Sequence, residues 1–147
     1  MIVHASCIAH RGRGLLILGP SGAGKSTLAL EMMAYGAALV ADDRTVLRLA
    51  GDHLIADSPD AIRGRIEARG VGILRAHAHG PVPLVLAVDL GQTEPDRLPP
   101  ARELSISSGR LPLVLGAGRL HLASTLLQYL VGGRADTVGH EDGLGDG

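Results

Sequence analysis

Runs of aliphatic residues separated by glycine-rich turns are the main pattern along this chain. Residues 15–19 (LLILG) and 83–91 (PLVLAVDLG) are apolar almost throughout, which is typical of strands buried on both faces of a sheet. Residues 2–9, 37–43 and 111–119 are further apolar or β-branched runs that end at turn residues. We therefore predict a strand in each of these five stretches.

Two segments have the pattern of a helix. The first begins near Lys25 and runs to Tyr35, with Gly36 as its stop, and apolar residues cover most of its circumference. The second, residues 120–133, is amphipathic and is also ended by glycine. Both helices are predicted to pack against the sheet.

Alternating apolar positions at residues 44–56, around Gly51 and Asp52, predict an antiparallel hairpin. Residues 58–80 contain a helix start at Ser58-Pro59 and then too many glycines for a long regular element. The sequence therefore predicts an α/β fold of one domain, residues 1–132, with a mixed sheet and antiparallel hairpins. The remaining residues, 133–147, have few apolar anchors and are predicted to form a disordered acidic and glycine-rich tail.

Composition narrows the classes of partner. The 147 residues have a formal net charge of -1 and only two aromatic side chains, Tyr35 and Tyr129, so we expect neither nucleic acid nor a membrane as a partner. The single cysteine, Cys7, fits a reducing compartment, and no signal peptide or membrane-spanning run is visible. We therefore expect a cytoplasmic protein.

The stretch GPSGAGKST carries the strongest chemical signal. Its Gly19, Gly24, Lys25 and Ser26 fit the G-x-x-x-x-G-K-[ST] template, between an apolar strand and a helix. Such a loop directs backbone N–H groups and a helix N-terminus at phosphate, while its lysine reaches the outer phosphates and its hydroxyl ligates Mg²⁺. A glycine-rich turn without function is the alternative. The predicted nucleotide-binding residues are Gly19, Pro20, Ser21, Gly22, Ala23, Gly24, Lys25, Ser26 and Thr27.

Two consecutive acids follow the next predicted strand. Asp42 and Asp43 lie 16 and 17 positions after Ser26, at a strand end that returns beside the phosphate loop. One acid can then help to hold the metal, while its neighbour accepts a proton from an attacking hydroxyl. The alternatives are that this pair only forms a turn, or that Asp89, which ends another buried strand, is the metal partner.

Several motifs in one order resemble the bacterial HPr kinase/phosphorylase family. Residues 3–44, from VHASC to ADDR, resemble the start of its catalytic domain, residues 66–74 (IEARGVGIL) its Glu-x-Arg-Gly-x-Gly-Ile signature, and residues 95–99 (PDRLP) its Asp-Arg-Leu element. The resemblance extends over roughly residues 3–131, without the family's separate N-terminal domain. It implies a P-loop kinase fold related to that of PEP carboxykinase, with ATP and Mg²⁺ as cofactors.

The same resemblance implies roles for individual residues. His4 and Asp43 would flank the reacting hydroxyl, with Asp43 as proton acceptor, and Lys25 and Arg97 would stabilise the transferring phosphoryl group. Ser26 and Glu67 would ligate Mg²⁺, next to Asp42. The substrate would be a seryl hydroxyl on the phosphocarrier protein HPr or an HPr-like protein of the phosphotransferase system.

Each of these roles has a plainer alternative. His4 is also consistent with an ordinary strand residue, Glu67 with a surface ion pair to Arg69, and Arg97 with a solvated loop arginine. At the level of function, the alternatives are a small-molecule or nucleotide kinase and a P-loop nucleotide-binding regulatory module. The family is also hexameric, which implies a homo-oligomer.

The chain departs from the family pattern at a few positions. Pro20 stands where the family often has an acidic residue, and Thr27 where it often has Glu. The segment between residues 74 and 95 is shorter than in typical members. The late basic loop retains Arg119 without a second basic residue, and because phosphorolysis adds an anion to the site, we expect that reverse reaction to be weak.

Overall fold

A computed structural model of the chain describes residues 1–136, and this range contains eleven strands and two helices. The elements in chain order are β1 (Ile2–Val3), β2 (Ser6–His10), β3 (Arg13–Leu18), α1 (Lys25–Ala34), β4 (Ala38–Ala41), β5 (Thr45–Ala50), β6 (His53–Asp57), a 3₁₀ turn (Asp60–Ile62), β7 (Arg65–Ala68), β8 (Gly72–Arg75), β9 (Val82–Asp89), β10 (Glu103–Ile106), β11 (Gly109–Leu115) and α2 (Leu122–Gly132).

Nine of these strands form one mixed sheet. Its main order is β1-β5-β6-β9-β3-β2-β4, and β11 joins the end of β9 with β10 outside it. The pairs β3–β9 and β9–β11 are parallel, whereas β2 runs antiparallel to both of its neighbours, β3 and β4. The remaining strands, β7 and β8, form a separate two-stranded hairpin.

The position of β2 determines which strand ends lie next to each other. Because β3 and β4 are each antiparallel to β2, they run in the same direction, and their carboxyl ends lie at the same edge as the amino end of β2. The carboxyl end of β9 reaches that edge too, since Leu18 is in register with Asp89. This edge therefore collects residues 3–6, 19–24, 42–43 and 89–91.

Aliphatic packing on both faces holds the sheet. Leu15 and Ile17 of β3 pack with both helices, while Leu16, between them in sequence, packs on the opposite face with the β5–β6 hairpin and β11. This alternation is what a strand covered on both faces requires. It explains why β3 and β9 have apolar residues at nearly every position.

The predicted α/β class, the mixed sheet and the antiparallel hairpin at residues 44–56 are confirmed. Both helices also form, within a few residues of the predicted limits. The sequence analysis missed β10 and the β7–β8 hairpin, because their strands are four residues long and are flanked by glycine or exposed.

The predicted tail begins inside the described range. Arg134 donates hydrogen bonds to Pro99 O at 2.7 Å and to the carboxylate of Asp136. Residues 137–147, which make up the rest of the predicted tail, lie outside the described residues. Within residues 1–136, no helix is both long and apolar enough to cross a bilayer.

Leu86 tests the two-sided packing of the sheet. Leu86 of β9 is fully buried in the cluster that contains Leu15, Ile17 and residues of both helices. The Leu86→Ala variant is expected to lose about 2–5 kcal/mol of unfolding free energy through lost burial and a cavity. The matched exposed strand residue is Leu49, and Leu49→Ala is expected to change stability by less than about 1 kcal/mol. Chemical denaturation measures both, and equal losses would contradict the assignment of the core.

Candidate functional site

The phosphate loop connects β3 to α1 at the common edge. Gly24 is the N-cap of α1 with φ of 100°, a left-handed conformation that favours glycine, and no side chain caps the helix. The first N–H groups of α1 and its positive dipole end therefore face the loop rather than a capping side chain. Gly19 is constrained by space, because a Cβ there would lie 3.1 Å from Ala23 Cβ and 3.2 Å from Leu90 Cβ.

Lys25 is the buried cation of this loop. Its Nζ donates to Gly19 O at 2.8 Å and to Pro20 O at 3.2 Å, and its side chain is only 6% exposed. No acidic side chain among the described residues forms an ion pair with it. A buried ammonium bonded only to neutral carbonyls creates a positive potential inside the loop, which suits an anionic ligand.

Asp42 is buried, and both of its carboxylate oxygens accept hydrogen bonds. Its Oδ1 accepts hydrogen bonds from Ser26 Oγ at 2.7 Å and from Ser6 Oγ at 2.9 Å, and its Oδ2 accepts one from Glu67 N at 2.9 Å. The carboxylate thus connects β4 with the first turn of α1, with β2 and with the β7–β8 hairpin. Asp42, the first of the two predicted acids, therefore contacts the P-loop serine, Ser26, directly.

Asp43, the next residue, points outward and pairs with His4. The His4 Nε2 and Asp43 Oδ1 atoms lie 2.6 Å apart, and both side chains are more than half exposed. Asp43 has φ of 69°, a left-handed conformation, and lies in a bend at residues 42–43, so the alternative of an Asp-Asp turn also fits the local backbone. Two consecutive acids thereby have different environments, one buried against the loop and one exposed to solvent.

Ser6 is a site residue that the sequence analysis missed. Its buried hydroxyl donates to Asp42 Oδ1 and accepts a hydrogen bond from Asp43 N at 3.0 Å, so one side chain fixes both acids. The signal available in the sequence was a serine within an otherwise apolar strand, two residues after His4. Side chains two positions apart extend to the same side of an extended chain.

Glu67 reaches the site through its backbone. Its N–H binds Asp42, while its carboxylate is exposed and forms no ion pair with Arg69 or any other described residue. The alternative of a Glu67–Arg69 surface pair is therefore not observed.

The oxygen atoms at this edge match the ligand preferences of Mg²⁺. A carboxylate and a hydroxyl, from Asp42 and Ser26, are hard oxygen ligands of the type that Mg²⁺ combines with phosphate oxygens and water. Within residues 1–136, no group of three or more His, Cys, Asp or Glu side chains is arranged to hold a metal by itself. The donor set thus fits a metal shared with a phosphate ligand.

Asp89 lies at the same edge but has a different role in the structure. Its carboxylate accepts hydrogen bonds from Gly91 N and from Gln92 Nε2, both at 2.7 Å. This turn packs on the P-loop, since a Cβ on Gly91 would lie 3.0 Å from Pro20. Asp42, not Asp89, contacts Ser26, which favours Asp42 as the metal partner.

Arg97 lies in an exposed loop between β9 and β10. It forms no hydrogen bond or ion pair with other described residues and lines a groove of about 720 Å³ together with Tyr129 and Arg134. No residue of the P-loop lines that groove. The predicted role of Arg97 at the phosphoryl group stays a prediction, because the structure does not bring this side chain to Lys25 or Asp43.

An ion pair and a hydrogen bond stabilise the loop that carries Arg97. Glu94 forms a bidentate ion pair with Arg102, with N–O distances of 2.8 and 2.9 Å. This hydrogen bonding lowers the pKa of Glu94, although burial by itself would raise it. Arg119 donates to Glu94 O at 3.2 Å. Arg119 therefore contacts this loop rather than the P-loop.

Ser6 tests how the acids are held. The Ser6→Ala variant is expected to lower the unfolding free energy by about 1–3 kcal/mol, because Asp42 loses a donor and Asp43 N loses its acceptor. Ser105→Ala, at an exposed serine of β10, is the control and is expected to be nearly neutral. Equal thermal stability of Ser6→Ala and the unaltered chain would show that this hydroxyl does not hold the acids.

Several known proteins are similar to this chain. The chain is 47% identical over 73 residues to the HPr kinase/phosphorylase of Caldanaerobacter subterraneus, which covers 49% of this chain and 24% of that protein. It is 44% identical over 72 residues to the HPr kinase/phosphorylase of Caldicellulosiruptor bescii, with 48% and 23% covered. The matched region thus spans about a quarter of the length of these curated relatives.

A solved structure extends the likeness to most of the chain. The Hpr(Ser) kinase/phosphatase from Coxiella burnetii superposes with a TM-score of 0.77 at 26% identity, covering 89% of this chain and 88% of that chain. The family model of the HPr Serine kinase C-terminal domain matches residues 1–80, which contain β1 to β8 and every polar contact around Asp42 and Asp43. The chain belongs to the HPr serine kinase C-terminal domain family.

Proposed function

We propose that this protein is an ATP- and Mg²⁺-dependent serine kinase that phosphorylates HPr or an HPr-like phosphocarrier protein of the phosphotransferase system. The observation that carries the proposal is the 2.7 Å hydrogen bond from Ser26 Oγ to Asp42, which places the acid pair at the mouth of the phosphate loop. The names of the similar proteins support the choice of HPr as substrate.

The proposed binding step uses the P-loop. Residues 19–27 would surround the ATP phosphates with backbone N–H groups, and the Lys25 ammonium would bind the outer phosphate oxygens. Ser26 and Asp42 would hold Mg²⁺, and the Glu67 carboxylate would join them in its predicted role as a metal ligand. Mg²⁺ bound at these oxygens supplies neutralisation of the phosphate charge.

The proposed chemical step uses the exposed acid. The seryl oxygen of the substrate attacks the γ-phosphorus, the bond to the β–γ bridging oxygen breaks, ADP leaves, and the Asp43 carboxylate accepts the seryl proton. His4, 2.6 Å from Asp43 Oδ1, orients that carboxylate and leaves Oδ2 open to the hydroxyl. Lys25 stabilises the charge of the transferring group, and Arg97 is proposed to support it there.

We also propose that the enzyme is cytoplasmic. The lone Cys7 is buried in β2, and burial raises the pKa of its thiol, so it is protected from oxidation and is consistent with a cytoplasmic protein. A homo-oligomer, as in the family, stays a prediction.

Asp43 tests the transfer step. The Asp43→Asn variant is expected to slow phosphoryl transfer to HPr by about 10²–10⁴-fold while leaving ATP affinity within about twofold, because the amide cannot accept the proton. Labelled ATP and purified HPr measure the rate, and equilibrium titration measures ATP binding. Asp52→Asn, in the exposed β5–β6 turn, is the control. Unchanged turnover in Asp43→Asn would exclude Asp43 from the mechanism.

The same assay separates the alternative functions. Label on a seryl residue of HPr supports the proposal. Label on a metabolite would indicate a small-molecule kinase, and tight ATP binding without transfer would indicate a regulatory module.

Arg119 motivates a prediction about the reverse reaction. The loop after β11 has no second basic residue, and Arg119 itself is bonded to Glu94 O, so little positive charge is available for an additional inorganic phosphate. We expect phosphorolysis of phosphorylated HPr to be much slower than the forward reaction. Pyrophosphate release at a rate comparable with phosphorylation would contradict this expectation.

A further inference from the structure

The β7–β8 hairpin carries an unusual pair of like charges. Arg65 lies directly opposite Arg75 in the antiparallel register, and like charges at directly opposed positions destabilise a strand pair. Neither guanidinium forms an ion pair with any described residue, whereas the neighbouring Arg63 is paired with both Asp57 and Asp60. The chain therefore keeps two adjacent, unneutralised arginines on a short hairpin.

The two faces of the hairpin differ sharply. Ile66 is 1% exposed and packs in the core beside α1. Side chains alternate along a strand, so Arg65 and Glu67 extend from the opposite face, and their cross-strand partners Arg75 and Ile73 extend with them. This second face, which we call the outward face, consists of Arg65, Glu67, Ile73 and Arg75.

The outward face is apolar as well as basic. Ile73 is 63% exposed, and Val71, in the turn, is 76% exposed. Three residues of this face, Arg65, Ile73 and Arg75, line a cleft of about 520 Å³, and Leu74, the cross-strand partner of Ile66, completes its lining. Exposed aliphatic side chains next to paired guanidiniums match a protein segment in which an acidic side chain neighbours an aliphatic one, because a small anion would leave the isoleucine uncovered.

The hairpin is also fixed to the reaction site. Glu67 N donates to Asp42 Oδ2 at 2.9 Å. Arg65 precedes Glu67 by two positions on the same strand, which corresponds to roughly 7 Å along the backbone. A protein held on the outward face is thus held beside the carboxylates that would receive its hydroxyl.

We propose that the outward face of the β7–β8 hairpin docks the protein substrate, with Arg65 and Arg75 binding one acidic side chain and Ile73 covering an adjacent aliphatic one. This proposal rests on the proposed kinase function and specifies how that kinase selects a protein. It assigns the arginines to substrate affinity, not to catalysis or nucleotide binding.

The test compares the full chain with its Arg65→Ala/Arg75→Ala double variant, using purified HPr as substrate and saturating ATP and Mg²⁺. The KM for HPr is expected to rise about 10-fold or more, while kcat and the KM for ATP stay within about twofold. The melting temperature is expected not to fall, since the variant removes a repulsion. Arg48→Ala is the matched control, because Arg48 is an exposed strand arginine that lies opposite Ile55 rather than another arginine.

Two further measurements do not depend on the folding of that variant. The KM of the unaltered chain for HPr is expected to rise with salt concentration, through screening of the arginine pair. Ile73→Ser, which leaves all charges in place, is expected to raise the KM for HPr without changing its salt dependence.

The outcomes separate the two proposals. A chain that transfers no phosphate to HPr would overturn the kinase function, and the docking role with it. Normal transfer with an unchanged KM for HPr in the double variant would overturn the docking role alone. A raised KM for ATP would instead assign the arginines to the nucleotide, and a changed oligomeric state in size-exclusion chromatography would assign the hairpin to contact between copies of the chain.

Discussion

The buried carboxylate of Asp42 is the contact on which the site depends. A carboxylate removed from water must receive hydrogen bonds, and the three donors here come from α1, β2 and the β7–β8 hairpin. None of these elements can shift without leaving part of the charge unsatisfied. The same three bonds therefore hold the tertiary structure at this edge and align the P-loop serine with the acid pair.

The strand order explains why so short a chain assembles this arrangement. An antiparallel β2 between two parallel strands places His4 and Ser6 at the edge where β3 and β4 end. Ser6 then separates the environments of the two acids, since its hydroxyl binds one carboxylate and the backbone N–H of the other. A buried carboxylate that contacts the P-loop serine thus lies next to a carboxylate that is exposed to solvent.

Two sets of arginines differ in their contacts with the other described residues. Arg13 donates to Leu130 O and Val131 O at the end of α2, and Arg102 and Arg134 hold the loop before β10, so these guanidiniums stabilise the fold. Arg65 and Arg75 lack such partners among the described residues and lie beside the site. The structure therefore uses some arginines as internal supports and leaves the Arg65–Arg75 pair without an ion-pair partner among the described residues.

The sequence by itself determined the P-loop, the strands and helices around it, and the position of Asp42 and Asp43 at a strand end. These features follow from short-range spacing and from apolar periodicity, and both depend only on residues that are close together in the sequence. Spacing alone did not show which of the two acids is buried, because burial is not encoded at either position alone, and only the family resemblance implied that Asp43 is the proton acceptor.

Only the tertiary structure revealed Ser6 as the support of both acids, Glu67 as a backbone donor, and Arg65 and Arg75 as facing residues. Each of these facts joins residues that are distant in sequence or depends on strand register, and the short strands β7 and β8 gave no periodic signal. The groove that Arg97 lines, which contains no P-loop residue, could not be predicted either, because a proline-rich loop is placed by the packing of its base through Glu94 and Arg102 and not by its own sequence pattern.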